Sequence, residues 1–183
     1  MGTGIQICGL NGCGKSTLGK ALAERMGFHF IDNEHLYFSR AHADEPYANP
    51  RSRAEVERLL MEEVRRHPDF VFSAVKGDYG EEIIPLYSYV VVMEVPKDIR
   101  SQRVRNRSFQ KFGSRMLAGG DLHSQEEAFF QLTESRRDDD IERWLQKVNC
   151  PVIRVDGTKP IEDNVDSILR AIGGYHASGS QAR

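Results

Sequence analysis

The sequence predicts a three-layer α/β fold, a five-stranded parallel sheet with helices on both faces, and three observations predict it. Short apolar runs alternate with stretches of helical periodicity along the whole chain. A glycine-rich segment, Gly9 to Gly14, joins the first apolar run to the first amphipathic stretch. The run Tyr89 to Val95 is nearly uninterrupted and rich in valine, as expected of a parallel strand covered on both sides. At 183 residues, 39% of them apolar and 9% aromatic, the chain is about 1.2 times a typical ~150-residue domain. Residues 1–175 therefore read as one domain, and the small polar segment 176–183 as a disordered tail.

The elements follow in order. Ile5 to Cys8 is a strand ended by Gly9, and Lys15 to Met26 is a helix carrying Leu18, Leu22 and Met26 on one face. Phe28 to Ile31 is a second strand closing at Asp32. Ser52-Arg53-Ala54-Glu55 is a capping box that opens a helix with Val56, Leu59, Leu60 and Val64 on one face. Phe70 to Val75 is the third strand and Tyr89 to Val95 the fourth. A helix runs from Pro96 toward Arg107, and a basic segment with glycines continues to Gly120. Ser124-Gln125-Glu126-Glu127 reads as another capping box, opening a helical stretch through Trp144 and Val148 that breaks near residues 133–138. Pro151 to Val155 is the fifth strand, and Pro160 to Ile172 a last helix with proline in its first turn. In such a sheet ligands sit beyond the carboxyl ends of the strands.

Gly9-Leu10-Asn11-Gly12-Cys13-Gly14-Lys15-Ser16 matches G-x-x-x-x-G-K-[ST] completely, with Thr17 following. This is the Walker A loop of P-loop NTPases, and it stands where that loop belongs, between a strand and a helix. Glycines let successive backbone N–H groups face phosphate oxygens, and the helix start adds its positive dipole end. Gly9 and the stretch Asn11, Gly12, Cys13, Gly14, Lys15, Ser16 and Thr17 are thus the expected cradle for the phosphates of ATP. Lys15 supplies charge to the β- and γ-phosphates, and the Ser16 hydroxyl would ligate Mg²⁺. Cys13 reads as filler in the loop. Two other patterns are decoys. Thr158-Lys159-Pro160-Ile161 lacks the aspartate of a GTPase base-reading motif, and Leu117-Ala118-Gly119-Gly120-Asp121 has no following strand ending in Asp-Glu.

The net charge is −2, which excludes a general electrostatic footprint for nucleic acid or an anionic membrane. Against it stand six basic and no acidic residues between Arg100 and Arg115. Arg100, Arg103 and Arg107 share one helical face, where guanidinium groups can gather around a polyphosphate.

Arg103-Val104-Arg105-Asn106-Arg107 and Arg136-Arg137-Asp138-Asp139 resemble the R-x-x-x-R and R-x-D-D motifs that flank the lid of nucleoside-monophosphate kinases, adenylate kinase in particular. The resemblance implies that Arg103 lies against the ATP base, that Arg107 and Arg136 hold phosphates catalytically, and that residues 108–135 form a lid. It also implies that Val155-Asp156-Gly157-Thr158 contacts adenine through its backbone at Gly157. A second lid arginine of that family falls on Lys147 here, and its D-G-[FY]-P-R acceptor motif is absent.

The first 36 residues carry a second likeness. Lys15 to Arg25 followed by Phe30-Ile31-Asp32-Asn33-Glu34-His35 resembles gluconate and shikimate kinases, in which an aspartate after the second strand contacts the acceptor hydroxyl. That implies a catalytic Asp32, acting as general base or holding a magnesium-bound water with Glu34 in support. A helix cap is its other role. Lys76-Gly77-Asp78, at the end of the third strand, points into the same crevice and is open between acceptor and Mg²⁺ binding.

These readings combine into a kinase that moves the γ-phosphoryl of ATP, with Mg²⁺, onto a small molecule, a nucleotide being the first candidate. A hydroxyl acceptor such as gluconate or shikimate is the alternative. From another class comes a regulatory ATPase acting through a protein partner, although no feature identifies one. Cys8, Cys13 and Cys150 form no CxxC pair, and the start of the chain shows no basic-plus-apolar leader. The expectation is a soluble, cytoplasmic protein.

Overall fold

The computed structural model describes residues 2–38, 50–137 and 139–179, with side chains described as far as Gly174. Five strands, β1 (Gly4–Cys8), β2 (His29–Asp32), β3 (Phe70–Ser73), β4 (Tyr87–Glu94) and β5 (Val152–Asp156), form one sheet in the order β2-β3-β1-β4-β5. Every pairing is parallel. The helices are α1 (Lys15–Met26), α2 (Asn33–Tyr37), α3 (Arg53–Arg66), α4 (Lys97–Phe112), α5 (His123–Ser135), α6 (Asp139–Leu145) and α7 (Ile161–Gly179).

Two cores sandwich the sheet. On one face Ile5, Ile7, Val71, Val91 and Met93 pack with Leu18 and Leu22 of α1 and Val165 and Ile168 of α7. On the other, Phe70, Phe72, Val90 and Val92 pack with Val56, Leu60 and Val64 of α3 and with Ile141 and Trp144 of α6. Alternation along β3 and β4 divides the residues between the faces, and each buried leucine or isoleucine contributes about 1.5–3 kcal/mol. Tyr87 and Tyr89 break the alternation: they belong to opposite cores although two positions apart. The β1–β4 register shifts at this point, Gly4 facing Tyr87 and Ile5 facing Tyr89. That bulge is why β4 begins two residues before the expected Tyr89.

Other boundaries also depart from expectation. The Ser52 capping box forms, Ser52 accepting from the Glu55 N–H and Glu55 from the Ser52 N–H. The one expected at Ser124 does not: α5 begins at His123, after Leu122, with no side-chain cap. Glu127, the residue that would reach back, pairs instead with Arg105 Nη1 at 3.2 Å. Helix α7 runs to Gly179, across residues 176–179 of the expected tail, while 180–183 lie outside the described residues.

The segment 108–135, expected as a lid, is a helical arm. Helix α4 continues to Phe112, Gly113 at φ 56° ends it, and a 3₁₀ turn Gly113–Met116 leads toward α5. The arm has a small core of its own, Val104, Met116 and Phe130 with Phe112 and Phe129 packed against it. Phe109, Leu117 and Leu132 are about half exposed on its surface.

Candidate active site

The phosphate loop leaves β1 at Gly9, whose N–H bonds the Val75 carbonyl at 3.1 Å. Gly12 and Gly14 hold left-handed conformations, φ 83° and 96°, that β-carbon-bearing residues adopt at a cost. At Gly12 space also forbids a side chain, since a Cβ would stand 2.3 Å from the Arg100 carbonyl oxygen. Gly14 is the N-cap of α1, so the helix begins at Lys15 with its first N–H groups turned toward the loop. Cys13 is fully buried in the α1–α7 core. Burial also pushes the neighbouring Cys8 thiol up to about 12.

Beyond the carboxyl ends of β1, β2 and β3 opens a cavity of about 570 Å³. Lys15, Asp32, Arg107 and Arg136, which the sequence singles out as catalytic, all line it, with Asn11, Gly12 and Ser16. Their fields meet at Lys15. Burial lowers the Lys15 pKa; the neighbouring Cys13 and Asp32 oppose that shift, and Arg107 and Arg136 reinforce it. The ammonium is therefore held at a cost that a bound anion would relieve. Arg107 makes no hydrogen bond or ion pair among the described residues. Arg136, in the link between α5 and α6, donates from Nη1 to Asn11 Oδ1 of the phosphate loop at 2.5 Å.

Asp32 ends β2 and caps α2, its Oδ1 accepting the Glu34 N–H at 2.9 Å. One carboxylate oxygen is thus used locally while the side chain still faces the cavity. Beside it, after β3, Lys76 Nζ pairs with Asp78 Oδ2 at 3.0 Å. Arg53, the first residue of α3, donates to the Asp78 carbonyl, pairs with Glu57 Oε1 at 2.8 Å, and stacks 4.0 Å over the Tyr79 ring. Gly77, between Lys76 and Asp78, accepts the Tyr87 hydroxyl at 3.1 Å. A Cβ on Gly77 would meet Trp144 at 2.7 Å. These polar groups form the wall opposite the phosphate loop.

The arginine face of α4 divides. Arg100 is buried and donates from Nε to the Val95 carbonyl at 3.0 Å, so it supports the backbone that closes over Gly12 and does not join a phosphate cluster. Arg103 reaches the other side, donating to the Gly157 carbonyl at 3.0 Å. Gly157 itself donates to the Glu94 carbonyl at 2.8 Å, and a Cβ there would press on the Cys13 carbonyl and Val95. Arg103 and Gly157, expected together near the nucleotide base, are in contact. Asp138 lies outside the described residues, and Arg137 pairs with Asp139 at 3.0 Å.

Sequence reasoning missed Arg53, Tyr79 and Glu126. The first two sit in a capping box and after a strand end, positions that look purely structural. Glu126 lines the cavity from α5, only 3% exposed, and its Oε2 has no hydrogen-bond partner among the described residues. It lies inside the Ser124–Glu127 pattern, which points to a helix cap and not to a buried carboxylate.

Residues 5–115 match the AAA domain family (AAA_18). The uncharacterized protein YqaC of Bacillus subtilis (strain 168) is 28% identical over 173 residues, covering 90% of this chain and 94% of the relative. Among solved structures, a gluconokinase from Sinorhizobium meliloti 1021 superposes with a TM-score of 0.63 at 17% identity, covering 99% of this chain and 98% of that one. A shikimate kinase from Acinetobacter baumannii, in complex with shikimate, superposes at 0.58 and 19%, covering 96% and 95%. Sequence motif, sheet order and these similarities agree: the chain belongs to the AAA domain family and has a P-loop kinase fold of the gluconate and shikimate kinase type.

Proposed function

We propose that the protein is an ATP-dependent kinase that phosphorylates a hydroxyl group of a small polar molecule. The observation that carries this reading is the place of Asp32, at the carboxyl end of β2, in one cavity with Lys15, Arg107 and Arg136. A phosphate acceptor is already ionised at neutral pH and needs no base, whereas an alcohol gains from a carboxylate that takes its proton. The likeness to gluconokinase and shikimate kinase structures, and the absence of the D-G-[FY]-P-R motif, favour the hydroxyl acceptor over the nucleotide first expected.

In this reading the acceptor hydroxyl passes its proton to the oxygen of Asp32 not engaged by the cap and attacks the γ-phosphorus of ATP. A new O–P bond forms as the bond to the β,γ-bridging oxygen breaks, and ADP carries away the electron pair. Lys15, Arg107 and Arg136 bring positive charge to the transferring group and the leaving oxygen, which is where such catalysis resides. Arg103 and Gly157 would hold the adenine end. The cavity offers hard oxygen donors, Ser16, Asp32 and Asp78, which suit Mg²⁺. Ser16 would ligate it with an aspartate in support, and the ion would neutralise charge on the β- and γ-phosphates. Glu126, buried and unpartnered at Oε2, would accept a second hydroxyl of the acceptor from the helical arm.

Three free cysteines support a reducing, cytoplasmic setting, and no helix among the described residues is long and apolar enough to cross a membrane. The test is ADP release with ATP and Mg²⁺ across sugar acids, hydroxy acids, nucleosides and nucleoside monophosphates. Turnover is expected with hydroxyl acceptors, and Glu126→Gln should raise the acceptor KM while leaving that for ATP unchanged. Turnover with nucleoside monophosphates alone would overturn the reading, as would slow hydrolysis that no acceptor stimulates.

A further inference from the structure

At the far end of β2 from Asp32 lies a second group of chemistry-bearing side chains. His29 opens the strand, and Glu63 and His67 stand at the end of α3, spaced i, i+4 on one helical face. One nitrogen of each histidine and one oxygen of Glu63 lie within 4.8 Å of one another. His29 Nε2 is 2.9 Å from Glu63 Oε2, and the two imidazoles stack with centroids 3.9 Å apart and 19° between planes. The other carboxylate oxygen, Oε1, is held by Arg66 Nη1 at 2.8 Å.

From this geometry we infer a transition-metal site of His29, Glu63 and His67, with Zn²⁺ the best-suited ion. Two imidazoles and one carboxylate are a ligand set that zinc takes readily, leaving a fourth, tetrahedral position for water. The same nitrogen-rich set discriminates against Mg²⁺, which prefers oxygen ligands in octahedral geometry. The ion would bind Glu63 through Oε2 alone, because Arg66 occupies Oε1 and orients the carboxylate from outside the ligand shell. Binding would turn the two rings out of their stacked arrangement, so that one nitrogen of each points at the shared ion. In the structure His29 Nε2 and Glu63 Oε2 already stand at hydrogen-bond distance, 2.9 Å.

The site is separate from the phosphate cavity. His29 and Asp32 are three residues apart on an extended strand, about 10 Å by strand rise. Its position suggests a staple: β2 is an edge strand of the sheet, and the ion would tie its first residue to the C-terminal end of α3, the helix whose first residue is Arg53.

The experiment is a Zn²⁺ titration of the untagged full chain under excess Mg²⁺ without nucleotide, read by calorimetry and by thermal melting. One equivalent of Zn²⁺ is expected to bind with micromolar or tighter affinity and to raise the Tm. His67→Ala should abolish binding, and Glu63→Gln should weaken it at least tenfold. Both positions are partly or fully exposed, so circular dichroism should show both variants folded. Co²⁺ in place of Zn²⁺ should give the intense visible absorption of a four-coordinate ion. No zinc binding by the wild-type chain, or binding unchanged in both variants, would overturn the site. So would binding lost in Cys150→Ser and kept in His67→Ala.

Discussion

The phosphate loop and the helical arm that faces it are built on opposite terms. The loop lies between the two cores of the sheet, tied to the segment after β3 through the Gly9–Val75 hydrogen bond, and at Gly12 it is too tightly covered for a single methyl group. The arm rests on Val104, Met116 and Phe130 and leaves Phe109, Leu117 and Leu132 half exposed. One region is over-determined and the other lightly held. Ligand-binding elements that must move are drawn from such weakly stabilised parts, whereas a charge-positioning cradle gains from rigidity. Arg136, directly after the arm, donates to Asn11 of the loop, the one side-chain hydrogen bond among the described residues that joins the loop to the arm's end.

The strongest way to break this comparison is to remove function from the rigid side without disturbing its fold. Lys15→Ala should lower ATP turnover on the order of a thousandfold or more, as loss of a preorganised charge does. Its Tm without nucleotide should be no lower than that of the wild type. The Lys15 pKa is lowered in the folded chain, so its charge costs stability at neutral pH, and the cost fades as pH rises through the folded pKa toward the ordinary lysine value. A variant that melts early would show Lys15 to be a structural residue.

Next come the two arginines that flank the arm and bring charge to the loop. Arg107→Ala and Arg136→Ala should each lower kcat about a hundredfold with little change in Tm, since each removes one charge from the transferring group. A shift in Tm with kcat unchanged would make them packing residues.

The arm itself is tested by Phe130→Ala. Loss of this buried ring costs about 3–5 kcal/mol, and in a small satellite core the loss should stay local. Hydrogen exchange across residues 113–135 should accelerate strongly while the global melt barely moves. The same truncation in the main core, Leu22→Ala, should destabilise the whole chain by about 2–5 kcal/mol. If Phe130→Ala lowers the global melt as Leu22→Ala does, the arm is part of one cooperative unit.

The smallest effect belongs to the bond between them. Asn11→Ala should cost about tenfold in kcat, the size of one charge-assisted hydrogen bond. Combined with Arg136→Ala it should cost less than the sum of the two. Strict additivity would mean that the bond is incidental.

The same contrast governs what could be read from sequence. The loop was legible because its backbone geometry admits few residue types, so glycines, lysine and serine appear at fixed spacing, and Lys15, Asp32, Arg107 and Arg136 meet in one cavity. The arm was legible only as a basic segment, because helices that pack on each other through three buried side chains leave a weak periodic signal. Arg100 misled because a helical face shows where a side chain points and not whether a carbonyl, here Val95, is waiting for it. Glu126 went unnoticed because the Ser-x-x-Glu pattern around it, Ser124 to Glu127, points to a cap and takes no account of tertiary burial. The opposite wall, Arg53 and Tyr79 across to Asp78, joins residues far apart in sequence and carries no local pattern at all.

Trp144 gives the molecule an optical reporter. It is the only tryptophan in the chain, buried to 3% exposure, with its indole N–H unpartnered among the described residues and the Tyr87 ring edge-on at 6.4 Å. Its ring abuts Gly77, the residue between the two charged side chains that line the cavity wall, Lys76 and Asp78. An indole so shielded from water should fluoresce at short wavelength, and a shift of the 76–78 backbone on acceptor binding would change its surroundings directly. Ligands of this cavity can therefore be titrated by emission from the unlabelled wild-type protein, before any acceptor has been turned over.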